Sequence, residues 1–314
     1  MIDHSPEANF FPADKLVKSA VKPDQNYQRP QDRLYLKRSK GSPVSLENNY
    51  LGFSVFLVLS GPSLNNLDLS LLDKTKAFSF GVNNSWSIYK PTFWTCMDGP
   101  EKFISSGWKD PRIMKLVPDK KQGDNLRTKV EGRFKELKTK TSDCPNTFYY
   151  KRNLEFDPTT FLTEGSVNWG QTGNSQDLLG IAGCRSVMLA AIRLCYYLGF
   201  RTINLLGCDF KMEEGKQNYA FPQERVKSSV LGNNNTYQGL VKRFHGLLPH
   251  FNNHGLKIYN CNKESQLGVF PYRSYEESIK EFELSIPDIE DTSSWYDKEN
   301  KIRTVRRNGK RNRK

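Results

Sequence analysis

The stretch VFLVLSGPSLNNLDLSLL, residues 55–72, constrains this chain more than any other. An uninterrupted apolar run, Val55 to Leu59, stops at Ser60-Gly61-Pro62-Ser63 and gives way to more widely spaced leucines. Apolar residues without alternation describe a strand buried on both faces. Gly-Pro-Ser after it reads as a tight turn opening a helix. Nucleotide sites are often built this way, yet both Gly-x-Gly-x-x-Gly and Gly-x-x-x-x-Gly-Lys-Ser/Thr are absent.

Further short strands are expected at Ala77–Val82, Thr92–Met97, Arg112–Val117, Thr202–Gly207 and Lys257–Tyr259, with the first covering Phe53–Leu59. Helices are expected between several of them. Ser186–Leu198 has strong propensity and stops at Gly199, and Thr236–Leu248 carries apolar residues at helical spacing before Pro249 ends it. Strand–helix alternation implies an α/β fold, a mostly parallel Rossmann-like sheet flanked by helices. Such sheets bind ligands beyond the carboxyl ends of their strands. Those ends read Ser60-Gly61-Pro62-Ser63, Asn83-Asn84, Asp98-Gly99, Cys208-Asp209-Phe210 and Asn260-Cys261-Asn262.

Residues 1–45 read as an irregular N-terminal arm broken by Pro6, Pro12, Pro23, Pro30 and Pro43. Residues 46–285 read as the α/β domain. Within it, the charged run 119–146 is expected to be a solvent-facing helix and loop, and the Gly- and aromatic-containing stretch 151–183 a lid or binding loop. In that loop Trp169, Asn174, Ser175 and Gln176 combine an aromatic face with polar side chains, a set suited to a planar ring or a sugar, or simply to anchoring the loop.

The formal net charge is +13, and residues 301–314, KIRTVRRNGKRNRK, hold eight Lys/Arg and no acid. Residues 286–314 therefore form a basic tail too polar to fold alone. Arg303, Arg306, Arg307 and Arg311 make it an electrostatic arm for nucleic acid or simply a solubilising end. No apolar run is long enough to span a bilayer, and the N-terminus lacks a signal-peptide pattern, so a cytoplasmic protein is expected. The six cysteines include no Cys-x-x-Cys and read as buried thiols. His245, His250 and His254 do not form a zinc pattern, and no metal is expected.

In order, SGPSL, VNN and LGFRTINLLGCDFKMEEGKQNYAF resemble the bacterial lipooligosaccharide sialyltransferases and the related hydroxymethylpterin diphosphokinase-like group, over residues 53–83 and 181–270. The resemblance implies a GT-A-like sheet with a lid that binds a nucleotide-activated sugar without a metal. It implies donor binding by Ser60, Gly61, Pro62, Ser63 and Asn83. Tyr219 and Tyr237 would give hydroxyls to the leaving phosphate. Two departures stand out. Ser60 replaces the family's asparagine, and the general-base histidine before the Thr236–Leu248 segment is missing. Asp98, then Asp209, are the substitutes, a carboxylate serving as base if burial raises its pKa.

These readings lead to a metal-independent glycosyltransferase. The basic tail directs it to a hydroxyl acceptor in DNA, such as a hydroxymethylated base. Pyrophosphate transfer and a catalytically inactive nucleic-acid-binding protein are the alternatives.

Overall fold

The computed structural model describes residues 33–41, 43–131, 133–170, 176–177 and 179–285. Its strands are β1 (Leu36–Lys37), β2 (Pro43–Val44), β3 (Ser54–Val58), β4 (Ser79–Val82), β5 (Phe93–Thr95), β6 (Met114–Pro118), β7 (Asn125–Val130), β8 (Arg133–Lys140), β9 (Thr147–Tyr150), β10 (Arg152–Asn153), β11 (Val167–Asn168), β12 (Thr202–Leu206) and β13 (Lys257–Asn260). The helices are α1 (Ser70–Lys74), α2 (Ser105–Lys109), α3 (Val187–Leu198), α4 (Lys227–Asn253) and α5 (Tyr275–Ser285).

Nine strands form one sheet in the order β13-β12-β3-β4-β5-β6-β9-β1-β2. From β13 to β9 the neighbours run parallel, and β1 and β2 add antiparallel strands at one edge. The expected Rossmann-like α/β class is therefore present. β3 is buried throughout: Val55 and Leu57 enter one core with α3 and α4, and Phe56 and Val58 enter another with α5. A third cluster around Trp94, Trp108 and Tyr149 closes the β5–β6–β9 side. The chain lays β4, β5, β6 and β9 outward from one side of β3, then crosses back to put β12 and β13 on the other. The order reverses between β3 and β12, and a reversal of this kind opens a crevice at the carboxyl ends.

α3 is central because it is apolar all round: ten of its twelve residues are buried. Ser186 caps its start by accepting from the Met188 N–H at 3.1 Å, and Gly199 ends it at φ 109°. Arg193, within this helix, donates to the Glu164 carbonyl at 2.8 Å. Burial draws its pKa down to about 10.

Four expectations are corrected. The folded body begins before residue 45, because Leu34 and Leu36 are core residues and Lys37 pairs with Tyr149. Among the described residues of 119–146 there is no α-helix; β7 and β8 form an antiparallel hairpin there. The turn at Pro62–Asn66 is a short 3-10 segment, so no long helix begins after Gly61. α4 starts nine residues before Thr236 and runs through Pro249. Its early turns are held by tertiary contacts: the Asn234 side chain accepts from the Met212 N–H and donates to the Met212 carbonyl, both at 2.9 Å. Pro249 sits in the last turns, and the carbonyl it orphans belongs to exposed His245, within reach of water. No helix among the described residues is long and apolar enough to cross a membrane.

Lys115 is a buried cation on β6, its ammonium donating to the Asp110 carbonyl at 2.7 Å. Burial lowers its pKa to about 8. Between that value and the usual lysine value, the unfolded chain holds a proton that the folded chain has released. Lys115 therefore adds stability as pH rises through this window and costs stability below it. Lys115→Met should remove this slope. Unfolding free energies of the two proteins from urea titration should diverge in favour of the wild type by up to about 2 kcal/mol from neutral to alkaline pH. A constant difference would refute the assignment.

Candidate functional site

The reversal of strand order brings together Gly61, just past β3, and Asp209, just past β12. The Gly61 N–H donates to the Gly207 carbonyl at 2.9 Å. Asp209 Oδ2 accepts from the Ser63 N–H at 3.3 Å and from the Ser63 hydroxyl at 2.8 Å. Asp209 Oδ1 accepts from Asn262 Nδ2 at 3.2 Å, so the end of β13 contributes as well. The carboxylate is held by donors from two neighbouring strand ends, and Oδ1 keeps capacity for a further donor. Gly61 is required by space: a Cβ there would lie 1.9 Å from Asp209 Oδ2 and 2.5 Å from the Gly207 carbonyl oxygen.

The N–H groups of the turn expected to bind the donor are engaged within the protein. The Gly61, Ser63 and Leu64 N–H groups donate to Gly207, Asp209 and Gly61 respectively, and Pro62 has none. The turn's donors are committed to the protein, and with no long helix behind it there is no helix dipole to attract an anion. The turn positions Asp209.

Asn83 stands at the end of β4, next to β3. Its φ is 48°, a conformation asparagine tolerates better than most residues. Its carbonyl accepts from Trp94 Nε1 at 2.7 Å, and its side-chain Oδ1 is buried without a partner among the described residues. An unpaired buried acceptor at a strand end is available to a ligand donor. Asp98, at the end of β5, is different. Its side chain is 49% exposed and paired with Lys102 at 3.2 Å, so the burial expected of a base is absent. β5 lies three strands from β12, roughly 14 Å across the sheet. Asp98 and Asp209 therefore do not act on one atom.

The segment after Asp209 returns to the end of β3. Ala220 N–H donates to the Ser60 carbonyl at 2.9 Å, which seats Tyr219 and Phe221 on the end of β3. The rings of Tyr219 and Phe221 stack 5.2 Å apart. The Tyr219 hydroxyl accepts from Arg225 Nε at 3.1 Å and from Arg225 Nη2 at 2.8 Å. Among the described residues Arg225 has no carboxylate partner. Phe210 adopts φ 56°, unusual for a bulky residue, and stacks on Tyr237 at 4.8 Å. Burial pushes the Tyr237 phenol above its ordinary value, with Tyr219, Arg225 and Asp209 close enough to contribute. Tyr237 thus stays a protonated donor at neutral pH. A cleft of about 120 Å³ separates Pro62 and Asp209 from Lys211, Lys216 and Asn218. It has room for a phosphate-sized group, and a larger ligand would extend along the open rim.

Trp169 is not an open stacking platform. Arg152 and Arg185 each place a guanidinium 5.1 Å from its ring, and it packs against the main core. Gln176 bridges Ala182. The expected lid is anchored where described: Phe156, Phe161 and Val167 are core residues, and Asp177 forms a buried ion pair with Arg243. Asn174, Ser175, Arg303, Arg306, Arg307 and Arg311 lie outside the described residues. Among the described residues no group of three or more His, Cys, Asp or Glu is placed to hold a metal ion.

Sequence reasoning misses Arg225 and Asn262 as site residues. Arg225 carries no local signal, because its partner lies six residues back on an irregular segment. Asn262 is visible only as one polar strand end among several. The molecule is an α/β protein with a polar site at the strand-order reversal of a mostly parallel sheet. Compared with family models, curated proteins and solved structures, the chain matches none.

Proposed function

We propose that this chain is a glycosyltransferase that moves a sugar from a nucleotide-activated donor to a hydroxyl acceptor without a metal. The observation that carries the reading is the Asp209 carboxylate, clamped at the strand reversal by Ser63 and Asn262, beside the donor group of Arg225, Tyr219 and Tyr237. Breaking a sugar–phosphate bond leaves negative charge on the nucleotide. Arg225 and the two tyrosine hydroxyls would meet it, the role a metal fills in other transferases. Asp209 Oδ1 would receive the acceptor's proton. Asn83 Oδ1 would take a donor-side hydroxyl or amine. The favoured acceptor is a hydroxymethylated base in DNA, drawn out of the stack to reach the rim, with the tail's arginines supplying phosphate contacts.

Pyrophosphate transfer is less well supported, since it needs carboxylates gathered around Mg²⁺, and Asp98 and Asp209 stand three strands apart.

The test is turnover of a nucleotide-sugar panel with a chelator present. Release of nucleoside phosphate from at least one donor is expected, with Asp209→Asn slowing kcat by about 10²–10⁴-fold. Strict Mg²⁺ dependence with ATP would favour pyrophosphate transfer instead. If no nucleotide raises the melting temperature while DNA binds tightly, the inactive nucleic-acid-binding reading replaces this one.

Arg225→Ala gives a second, separate expectation. Losing a charge-assisted contact to phosphate should raise the donor KM about 10–100-fold. Arg225 is exposed, so melting should barely move. Arg225→Lys should not restore binding, because an ammonium lacks the planar fork. An unchanged KM in both variants would remove Arg225 from the site.

A further inference from the structure

The β7–β8 hairpin lies outside the proposed transferase site. Its base is docked: Leu126 is fully buried and Leu137 packs beside it in the Trp94–Trp108–Tyr149 cluster. Beyond that base the ribbon stands free. Arg133, Phe134, Lys135 and Glu136 are all exposed, with Phe134 at 61% and Val130 at 49%. Asn125 to Lys140 carries six Lys/Arg against two Glu. One carboxylate is already engaged, since Glu136 pairs with Arg127 at 3.8 Å and accepts from Asn125. Arg133, Lys135 and Lys138 have no ion pair among the described residues.

The register places cations on both faces. Val130 pairs with Arg133 and Thr128 with Lys135, so these share one face; Arg127 pairs with Glu136, on the face that also carries Phe134 and Lys138. The ribbon also rises from the correct rim. β7 follows the carboxyl end of β6 and packs against the turn Pro100–Lys102 that follows β5. Those are the same strand ends that carry Asn83 and Asp209 farther along the sheet.

We propose that this hairpin is a nucleic-acid-binding ribbon that enters a duplex groove and presents the duplex to the Asp209 rim. A two-stranded ribbon fits the major groove, where phosphates flank it on both sides. Cations on both faces match that surrounding, and Val130 and Phe134 near the tip suit contact with thymine methyl groups. A flat anionic membrane is matched less well. Glu131 sits at the tip, where it would meet anionic headgroups and be desolvated by insertion. In a groove the same carboxylate can accept from a cytosine amino group. The inference deepens the acceptor half of the proposed function and rests on that reading for why a duplex is brought to this rim.

The experiment is fluorescence anisotropy of a short labelled duplex with the full chain, from about 50 to 200 mM salt, with no sugar donor present. Because no donor is used, binding can fail while transfer stands, and the reverse. Arg133→Ala with Lys135→Ala should weaken binding about tenfold or more and reduce the log–log salt slope by about 2, one unit per lost phosphate contact. Phe134→Ala should weaken binding with little change in slope. Lys257→Ala with Lys280→Ala, at the opposite end of β13 and on α5, away from the ribbon and the rim, should leave both unchanged. The ribbon residues are exposed, so circular dichroism and melting should match the wild type; Lys135→Glu alone serves if the double variant melts early. Wild-type binding and slope in the hairpin variants overturn the proposal, as does absence of duplex binding by the wild type at the lowest salt. Loss of binding to phosphatidylserine vesicles with duplex binding intact also overturns it, in favour of a membrane surface.

Discussion

Gly61→Ala is expected to lose donor binding and to melt roughly 5–15 °C below the wild type, from a cost of about 2–4 kcal/mol. Backbone conformation is not the reason, since Gly61 has φ −70° and ψ 153°, open to any residue. The cost is steric. The new methyl would lie 1.9 Å from Asp209 Oδ2, which can swing aside by breaking its bonds to Ser63. It would also lie 2.5 Å from the Gly207 carbonyl oxygen, which is backbone and moves only with β12. Either response opens the β3–β12 crevice where the site is built. Adding Asp209→Ala to Gly61→Ala removes the side-chain clash and leaves the backbone one. That double variant should melt between Gly61→Ala and the wild type. Asp209→Ala alone should lower melting by less than Gly61→Ala does, through its lost bonds to Ser63 and Asn262, and fail to transfer. A Gly61→Ala protein that melts with the wild type and still binds donor would sink the picture of a close-packed reversal.

Asp177→Ala should destabilise the fold by about 3–5 kcal/mol. Asp177 and Arg243 form an ion pair with both side chains fully buried. Asp177 Oδ1 also accepts the Leu179 and Ile181 N–H groups at 2.9 and 3.0 Å, shaping the loop that follows. The Arg243 guanidinium lies 4.4 Å from the Phe156 ring, and its Nε and Nη1 have no partner among the described residues. Removing the carboxylate leaves that guanidinium buried and uncompensated. The asymmetry is the diagnostic part: Asp177→Leu with Arg243→Met removes both charges and should recover much of the loss. Urea denaturation of Asp177→Leu, Arg243→Met and their double variant measures the cycle. If the double variant costs the sum of the two single ones, the pair is not coupled and its role in holding Leu179 and Ile181 in place fails.

Features that depend on neighbours along the chain are legible in the sequence alone. The unbroken apolar run of β3 signals burial on both faces, and a central strand between two helical layers has that environment. Ala- and Leu-rich α3, with Ser186 before it and Gly199 after it, marks its own ends. Polar residues at the strand ends point to one rim of the sheet, and Asp209 lies there.

Tertiary structure decided the remainder. Ser63 and Asp209 are 146 residues apart, and only the crossing from β9 back to β12 makes them neighbours. Local pattern cannot show that the Ser63 donors go to that carboxylate, or that Asp98 is left exposed on another strand. The β7–β8 hairpin reads as helix and loop because beyond the docked Leu126 and Leu137 both of its faces meet solvent. A ribbon wet on both sides has no apolar alternation, and periodicity reports only burial on one side. The early turns of α4, rich in asparagine, have weak helical preference and escape sequence reading for the same kind of reason: Asn234 fills its hydrogen bonds with Met212, 22 residues away. Periodicity and propensity record what a residue asks of its immediate neighbours. Strand order, buried ion pairs and the shape of the site come from contacts between distant segments, which form only once the cores between them are packed.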